Sequence, residues 1–354
     1  GRSRMRNAWW CLLGVLAATA AAAQETEVSF AEPQPVTVTG FAVGQAGYDR
    51  ALKTNSFTAG KIALSLFKPA GDAYFFGQLT TASEGGVTST EIDNLIVSWT
   101  PAKATRWSFV FGRFDAPLGA ERDDEPLNFL PTSSFTFELA RPVKFTGVAA
   151  RLTATPRLEV TALAANGWNN DPDNNRGKTG ELRVQWLPAE RVTVGATGTY
   201  GPERDATDAH QRGLLSADVT VDADPLILGV EAHTGRERQS ANSLKWNAVA
   251  ATGFWKLGNR LGVAARYDRV ADADGVLTGA VQTLQSVTVG PMLYFRSAQE
   301  GIFTTIEHTR FRLPQVAVRA ALRFDHSTQP FFADAAGGLR TTDTRAVVEL
   351  VYLF

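Results

Sequence analysis

The feature that most constrains the fold of this chain is a period of two in its hydrophobic pattern, repeated in segments of roughly ten residues. Along 181–186, 215–222 and 316–325, apolar residues alternate with polar or charged ones. Successive side chains of a β-strand point to opposite faces of a sheet, so each segment predicts a strand with one apolar face and one polar face. The pattern therefore predicts an all-β protein.

Alternation alone does not distinguish a soluble β-sandwich from a membrane barrel, whose apolar faces point to lipid. The lengths of the connections favour the barrel. Short connections such as 188–191 alternate with long polar ones such as 115–143, 201–209 and 234–243. Short turns at one end and long loops at the other are typical of outer-membrane barrels, and no segment after Gln24 is apolar enough for a spanning helix. We predict a transmembrane antiparallel up-and-down β-barrel with periplasmic termini.

The number of strands is predicted to be about 16, with 18 as the alternative, because two termini at one end require an even number. The ambiguity lies near the end of the chain. If 284–296 and 301–312 were both spanning strands, the total would be odd, so one of them is expected to be incomplete and to belong to an extracellular hairpin. The residues predicted to face lipid on the following strand are Val316, Val318, Leu322 and Phe324.

The N-terminal segment predicts export. Arg6 is followed by an apolar run that ends in small residues, as in a secretory signal peptide, and the run is shorter than the roughly 20 apolar residues of a membrane anchor. The predicted organisation is a signal peptide over 1–23, with Met5 as the start, and a barrel over 24–354. Cys11, the one cysteine, lies within the signal peptide, so the exported chain has no disulfide.

The C-terminal residues predict delivery to the outer membrane of a Gram-negative bacterium. Tyr352 and Phe354 end an alternating apolar segment, an arrangement similar to the signal that the barrel-assembly machinery recognises. Aromatic residues near predicted strand ends are expected to form a girdle in contact with outer-membrane lipid and lipopolysaccharide. The girdle candidates are Trp186, Trp246, Phe254 and Tyr352, with Trp107, Phe109 and Phe111 on one strand face.

The segment 111–151 resembles a family of β-barrel porins of Gram-negative bacteria, whose members carry a G-[KR]-F-x-x-P-L-G-x-E motif. The residues that fit are Gly112, Arg113, Phe114, Pro117, Leu118, Gly119, Glu121, Asn128, Pro142, Thr146 and Gly147. Near the C-terminus, Arg319, Arg323, Asp325 and Ser327 are similar to a second family segment, although Ala321 replaces an acidic residue. The resemblance implies an outer-membrane barrel and does not specify a solute.

The connection 115–143 is the candidate constriction loop of a pore. Its charged residues are Glu121, Arg122, Asp123, Asp124 and Glu125, and the inward positions predicted to oppose them are Arg106, Arg183, Arg266, Arg319 and Arg323. Opposed acidic and basic groups across a narrow pore set ion preference. The alternative is that the arginines only pair with wall carboxylates such as Glu181, Glu231, Asp268 and Glu349.

Passive diffusion of small hydrophilic solutes is the predicted function, and a non-conducting barrel that acts as scaffold, adhesin or receptor is the alternative. Small inward residues favour the pore, because they are expected to leave room for water; they are Gly195, Thr197, Thr199, Gly229 and Gly262. The four histidines show no metal-binding spacing, and no G-x-S-x-G motif occurs, so we predict neither an enzyme nor a cofactor. The near-neutral charge argues against a nucleic-acid partner, and a homotrimer remains open.

Overall fold

The computed structural model describes residues 35–84, 87–239, 242–297 and 305–354. The predicted signal peptide therefore lies outside the described residues. No helix in the described ranges is long and apolar enough to cross a membrane. The strands are β1 (Thr37–Asp49), β2 (Thr54–Thr58), β3 (Lys61–Ala70), β4 (Ala73–Glu84), β5 (Val87–Trp99), β6 (Trp107–Asp115), β7 (Lys144–Thr155), β8 (Leu158–Ala165), β9 (Thr179–Ala189), β10 (Val192–Arg204), β11 (Thr207–Ala223), β12 (Leu226–Gln239), β13 (Asn242–Lys256), β14 (Leu261–Asp272), β15 (Gln282–Ser297), β16 (Pro314–Ser327), β17 (Phe332–Ala333), β18 (Leu339–Arg340) and β19 (Thr342–Leu353).

The strands close into a barrel in which each spanning strand pairs antiparallel with the next along the chain. Closure occurs where β19 pairs with β1, from Phe41 opposite Leu353 to Asp49 opposite Arg345. Strands β2 and β3 both pair with β1 and form one interrupted strand, while β17 and β18 form a small hairpin outside the wall. With β2 and β3 taken together, the described residues contain sixteen spanning strands, which confirms the prediction.

The direction of the side chains identifies the barrel as one that faces lipid. Along β9, Leu182 and Trp186 are half-exposed on the outer surface, whereas Arg183 is buried inside. Along β16, Leu322 and Phe324 are exposed outside, and Arg319 and Arg323 are buried inside. Apolar residues outside and charged residues inside are the reverse of a soluble sandwich, so the lipid-facing prediction for β16 is confirmed.

The two ends of the barrel differ. The turn end carries both ends of the ring, where Gly40 and Phe354 exchange two backbone hydrogen bonds of 2.9 and 3.0 Å. The opposite end, here called the loop end, carries the connections after β6, β8, β14 and β16. The predicted long connections 201–209 and 234–243 are mostly strand, because β10 to β13 continue their ladders past the apolar part of the wall.

The structure corrects the expectation for 301–312. Strand β15 spans the wall, and the described part, 305–313, is not a spanning strand and does not lie in an extracellular hairpin. It lies at the turn end and folds into the lumen, where the Arg310 backbone N–H donates to the Asp222 carboxylate at 2.6 Å. The polar run 307–310 breaks the alternation that a spanning strand requires.

Two aromatic residues predicted for the lipid girdle lie inside instead. Trp246 and Phe254 are completely buried, and the Trp246 indole N–H donates to the Ala140 carbonyl at 3.1 Å. Trp186 and Tyr352 are exposed on the outer surface as predicted. The outer aromatic residues of β5 and β6 form a stack in which Trp99, Phe109 and Trp107 follow one another.

Candidate functional site: a loop folded into the lumen

The connection between β6 and β7, residues 116–143, folds into the barrel; we call it the inner loop. It contains a 3-10 helix, Glu125–Leu127, and a short helix α1, Phe135–Leu139. The Ser134 hydroxyl caps α1 by accepting a hydrogen bond from the Phe137 backbone N–H at 3.0 Å. Leu118, Phe135 and Phe137 are buried against the wall, so the loop packs inside the barrel rather than extending into solvent.

Wall carboxylates hold the backbone of the inner loop. Asp268 on β14 accepts from the Phe135 N–H at 2.9 Å, and Glu231 on β12 accepts from the Ala120 N–H at 2.6 Å. Hydrogen bonds to an ionised group are stronger than neutral ones, and each bond satisfies a loop N–H that is far from bulk water. The strands on one side of the barrel therefore fix the path of the loop.

Wall arginines bind the carbonyl groups of the same loop. Arg319 donates to the Glu125 carbonyl at 2.7 Å and also to the Asn128 carbonyl, while its Nε donates to Glu349 at 2.7 Å. Arg323 donates to the Ser133 carbonyl. These contacts join the two segments whose sequences carry the porin resemblance, so the motif in the loop and the motif on β16 form the two sides of one interface.

Each of the four acidic residues between positions 121 and 125 has a partner on the wall. Glu121 pairs with Arg266 at 3.1 Å, Asp123 with Lys144 at 3.1 Å, and Glu125 with Lys61 at 3.4 Å. Asp124 instead accepts from the Gln78 amide at 3.1 Å. Burial, together with the Asp115 carboxylate, raises the pKa of Asp124 to about 7. Asp124 therefore carries only part of a charge at neutral pH.

Arg122 connects the inner loop to the segment 305–313, here called the inner segment. Its guanidinium lies 2.9 Å from the Glu307 carboxylate. The Arg122 charge is the main reason why the pKa of Glu307 is lowered. Nearby, Phe129 of the loop stacks on Phe254 of the wall at 4.2 Å between ring centroids, and Phe311 contacts both rings edge-on at 5.3 Å.

A small lumenal cavity of about 60 Å³ lies between these two segments and strands β11 to β14. Its lining combines threonine hydroxyls of the wall with Phe129 of the loop and Ile306 of the inner segment. The cavity lies where the inner loop, the inner segment and the wall meet. No group of His, Cys, Asp and Glu side chains in the described ranges could hold a metal ion.

The remaining predicted arginines are placed differently from one another. Arg183 binds Asp218 through both terminal nitrogens, at 2.6 and 2.9 Å, as the wall-pairing alternative expects. Arg106 lies in the connection between β5 and β6 at the turn end, where its side chain is exposed. The expected inward strand position of Arg106 was wrong, because β6 begins one residue later, at Trp107.

Most of the small inward residues do not leave open space. A Cβ at Gly195 would meet the Arg183 guanidinium at 2.3 Å, and one at Gly262 would meet the Phe254 ring at 2.2 Å. At Gly229 the nearest atom is the Ala120 Cβ, at 3.1 Å. Thr197 accepts from Arg183, and Thr199 donates to Glu181. The prediction of water-filled room was wrong at Gly195 and Gly262, where the small residue accommodates a large neighbour, whereas Gly229 lines the lumenal cavity.

Three basic residues of the site were not predicted from the sequence: Lys61, Lys144 and Arg141. Lys144 lies 2.8 Å from Asp93 and also contacts Asp115, and Arg141 lies 3.7 Å from Glu231. A charged residue at the end of a strand with a lipid-facing side must point inward or toward the rim. That rule applied to lysines as well as arginines would have identified Lys61 and Lys144.

Comparison with known proteins agrees with this architecture. Residues 39–354 match the sequence family described as "Putative beta-barrel porin-2, OmpL-like". No curated protein sequence matches the chain.

Solved structures with a similar fold include OmpT of Vibrio cholerae in its trimer form, at 14% identity and a TM-score of 0.61, covering 91% of this chain and 100% of that one. The anion-selective porin from Comamonas acidovorans gives 10% identity and a TM-score of 0.63, with 90% and 99% covered. The outer membrane channel DcaP of Acinetobacter baumannii gives 12% identity and a TM-score of 0.61, with 90% and 97% covered.

Proposed function

The chain belongs to the β-barrel porin-2 family and is an outer-membrane porin, and from this premise we propose that small hydrophilic solutes and ions pass the inner loop by passive diffusion. The observation that supports the proposal is the anchoring of the inner loop inside the lumen by ion pairs to separate parts of the wall, at Lys61 on β3 and Arg266 on β14. A loop fixed in this way narrows the pore and places its charges beside passing solutes.

Exposure decides the sign of the expected ion preference. The side chains of Glu125 and Asp123 are 27% and 24% exposed, whereas those of Arg319 and Arg266 are 1% and 3% exposed. The carboxylates therefore face the lumen more openly than the guanidinium groups, which loop carbonyls and wall carboxylates cover. We propose a pore with a preference for cations.

Reversal potentials across a salt gradient in planar bilayers test this proposal. We expect the combined variant Glu121→Gln, Asp123→Asn, Asp124→Asn and Glu125→Gln to shift permeability severalfold toward anions, because two charges a few ångströms apart interact by roughly 1–4 kcal/mol. Neutralising Arg319 and Arg323 is expected to shift it the other way.

A matched pair of variants separates charge from loop position. Glu125→Gln alone leaves Lys61 without its partner and is expected to favour anions, while Glu125→Gln with Lys61→Gln restores the net charge and is expected to return to wild-type selectivity. If conductance persists and none of these variants moves the reversal potential, the inner loop does not set selectivity.

The alternative function, a non-conducting scaffold, adhesin or receptor, is favoured by the filled inward positions and by the inner segment that enters from the turn end. The same bilayer experiment decides between the two functions. A folded wild-type barrel that gives no conductance steps would overturn diffusion and support the scaffold.

We propose further that the chain is not an enzyme. We also propose that Tyr352 and Phe354 are recognised by the barrel-assembly machinery.

We propose that the barrel forms a homotrimer. This proposal is supported by the trimer form reported for the similar OmpT of Vibrio cholerae. Chemical cross-linking in native membranes would show a band of three chains, and a single-chain band would contradict it.

A further inference from the structure

Four basic residues lie on the outer surface of the barrel near its loop end: Arg236 and Arg238 on β12, Lys245 on β13 and Arg269 on β14. The first three side chains are exposed, and Arg269 is half-buried. Most charged residues of the strands described above point into the lumen, so a group of cations on the side that faces lipid requires an explanation.

The outward direction of these side chains follows from their neighbours in sequence. Glu237, next to Arg236, is completely buried and binds Arg212 inside the barrel. Trp246, next to Lys245, is completely buried as well. Since successive residues of a strand point to opposite faces, Arg236 and Lys245 must point outward.

The height of Lys245 and of its cross-strand partner Arg236 matches the headgroup level of a membrane. Arg269 pairs with Val249, four residues nearer the turn end, and extends toward that level through its long side chain. Lys245 precedes the exposed Trp255 by ten residues along β13, and Trp255 lies at the turn end. At about 3.3 Å per residue and a strand tilt of about 40°, this separation is roughly 25 Å along the membrane normal. An outer-membrane barrel has an apolar band roughly 25 Å tall, so Lys245 lies just beyond that band on the outer side.

The protein places one carboxylate beside this group of charges, that of Asp274, which accepts from the Lys245 backbone N–H at 2.8 Å. None of the four side chains forms an ion pair within the described residues. Arg236 and Lys245 are direct cross-strand partners, an arrangement that is unfavourable for like charges. The Arg236 side chain also lies beside Gly213 of β11, where an added Cβ would be 4.0 Å from the Arg236 Nε. Because Gly213 has no side chain, the outer surface of the barrel is recessed next to Arg236.

Below the cations the outer surface is apolar and uneven. Leu215 and Tyr267 are exposed, and between them lie the small residues Ala217, Ala232 and Ala251. The combination of cations above and an apolar, shallow surface below fits an amphiphile that carries phosphate and several acyl chains. Its position on the outer half of the wall fits the outer leaflet.

We propose that Arg236, Arg238, Lys245 and Arg269 bind the phosphate groups of a phosphorylated glycolipid of the outer leaflet, whose acyl chains lie on the surface of β11 to β14 below. Arginine and lysine both recognise phosphate, and each cation near an anionic lipid surface contributes measurably to binding. The site lies outside the lumen and does not depend on whether the pore conducts.

The test measures binding of the purified barrel to phosphatidylcholine vesicles that contain lipopolysaccharide, or the same lipopolysaccharide with its phosphates removed. We expect wild type to prefer the phosphorylated form by about tenfold or more. The variant with Arg236→Gln, Arg238→Gln, Lys245→Gln and Arg269→Gln is expected to lose that preference. A control with four exposed cations of the turn end replaced, Lys103→Gln, Arg157→Gln, Arg191→Gln and Arg260→Gln, is expected to keep it.

A second measurement keeps the test valid if the fourfold variant folds poorly. The double variant Arg236→Gln with Lys245→Gln removes the like-charge pair and is expected to be at least as stable as wild type in lipid-free detergent, while losing most of the stabilisation that lipopolysaccharide gives. Equal binding of phosphorylated and dephosphorylated glycolipid by wild type, or equal loss in the turn-end control, would each overturn the proposal.

Discussion

The outer and inner faces of the same strands are stabilised in different ways. On the outer face, the side chains of residues such as Val348 and Leu350 are half-exposed and point away from the rest of the chain. On the inner face, Arg319 contacts both Glu349 on the neighbouring strand and the Glu125 carbonyl, 194 residues earlier in the chain. On the outer face, each side chain therefore contributes through its own contact with lipid, whereas the inner face is a network of contacts between distant parts of the sequence.

The largest expected effect comes from breaking that inner network. Glu349→Ala leaves the buried Arg319 guanidinium without its carboxylate, and removing one partner of a buried pair costs about 3–5 kcal/mol. Denaturant unfolding of the refolded barrel measures the change in the free energy of unfolding. The exposed pair of Arg151 and Glu159 is the control, and Glu159→Ala is expected to cost less than about 1 kcal/mol. Equal losses would remove the distinction between networked and isolated charges.

A smaller effect is expected when a charge is placed on the outer face. Leu322→Arg is expected to cost about 2–4 kcal/mol if this position lies near the middle of the membrane, because the guanidinium would then face hydrocarbon. Val316, which pairs with Tyr352 near the turn end, is the control. Val316→Arg is expected to cost about 0–1 kcal/mol in the same lipid vesicles. A cost that does not depend on height would contradict the lipid-facing assignment of β16.

The smallest effect on stability is expected at the terminal residue. Phe354 is 47% exposed, so Phe354→Ala is expected to cost less than about 1 kcal/mol in the folded barrel. Outer-membrane abundance is nevertheless expected to fall while synthesis continues, because the assembly signal is lost. Phe57→Ala, at an exposed outer position on β2, is the control. Unchanged abundance of the Phe354 variant would show that the terminal aromatic is not the signal.

The contrast between the outer and inner faces explains which features of the structure could be predicted from the sequence. The barrel, the sixteen spanning strands among the described residues and the lipid-facing side of β16 follow from period-two alternation, which is a local property. Trp246 was assigned to the wrong face because its neighbours Lys245 and Asn247 are polar while it is apolar, the reverse of the expected pattern. Alternation cannot indicate that an inward position is covered by a loop, since the covering residue, Ala140, is 106 residues away.

The inner loop was predicted from the sequence, but its interface with the wall was not. Its charge density identifies the connection 115–143, and the resemblance adds the residues of β16. The partners Lys61 and Gln78 could not be assigned, because they lie on strands whose position across the lumen depends on closure of the ring. Which side chains pair across the lumen of a closed barrel depends on the strand order and the register together, and neither can be read from the sequence of a single segment.

The anchoring of the inner loop has a consequence for the order in which the molecule is assembled. The loop belongs to the first half of the chain, but the arginines that bind its carbonyls lie on β16, the last strand but one in the wall. Its buried phenylalanines would meet a continuous wall once β19 has joined β1, so entry after closure would require passage through the mouth of a finished cylinder. We therefore expect the loop to enter while the seam is still open, so that the final strands close the wall around a lumen that already contains the loop.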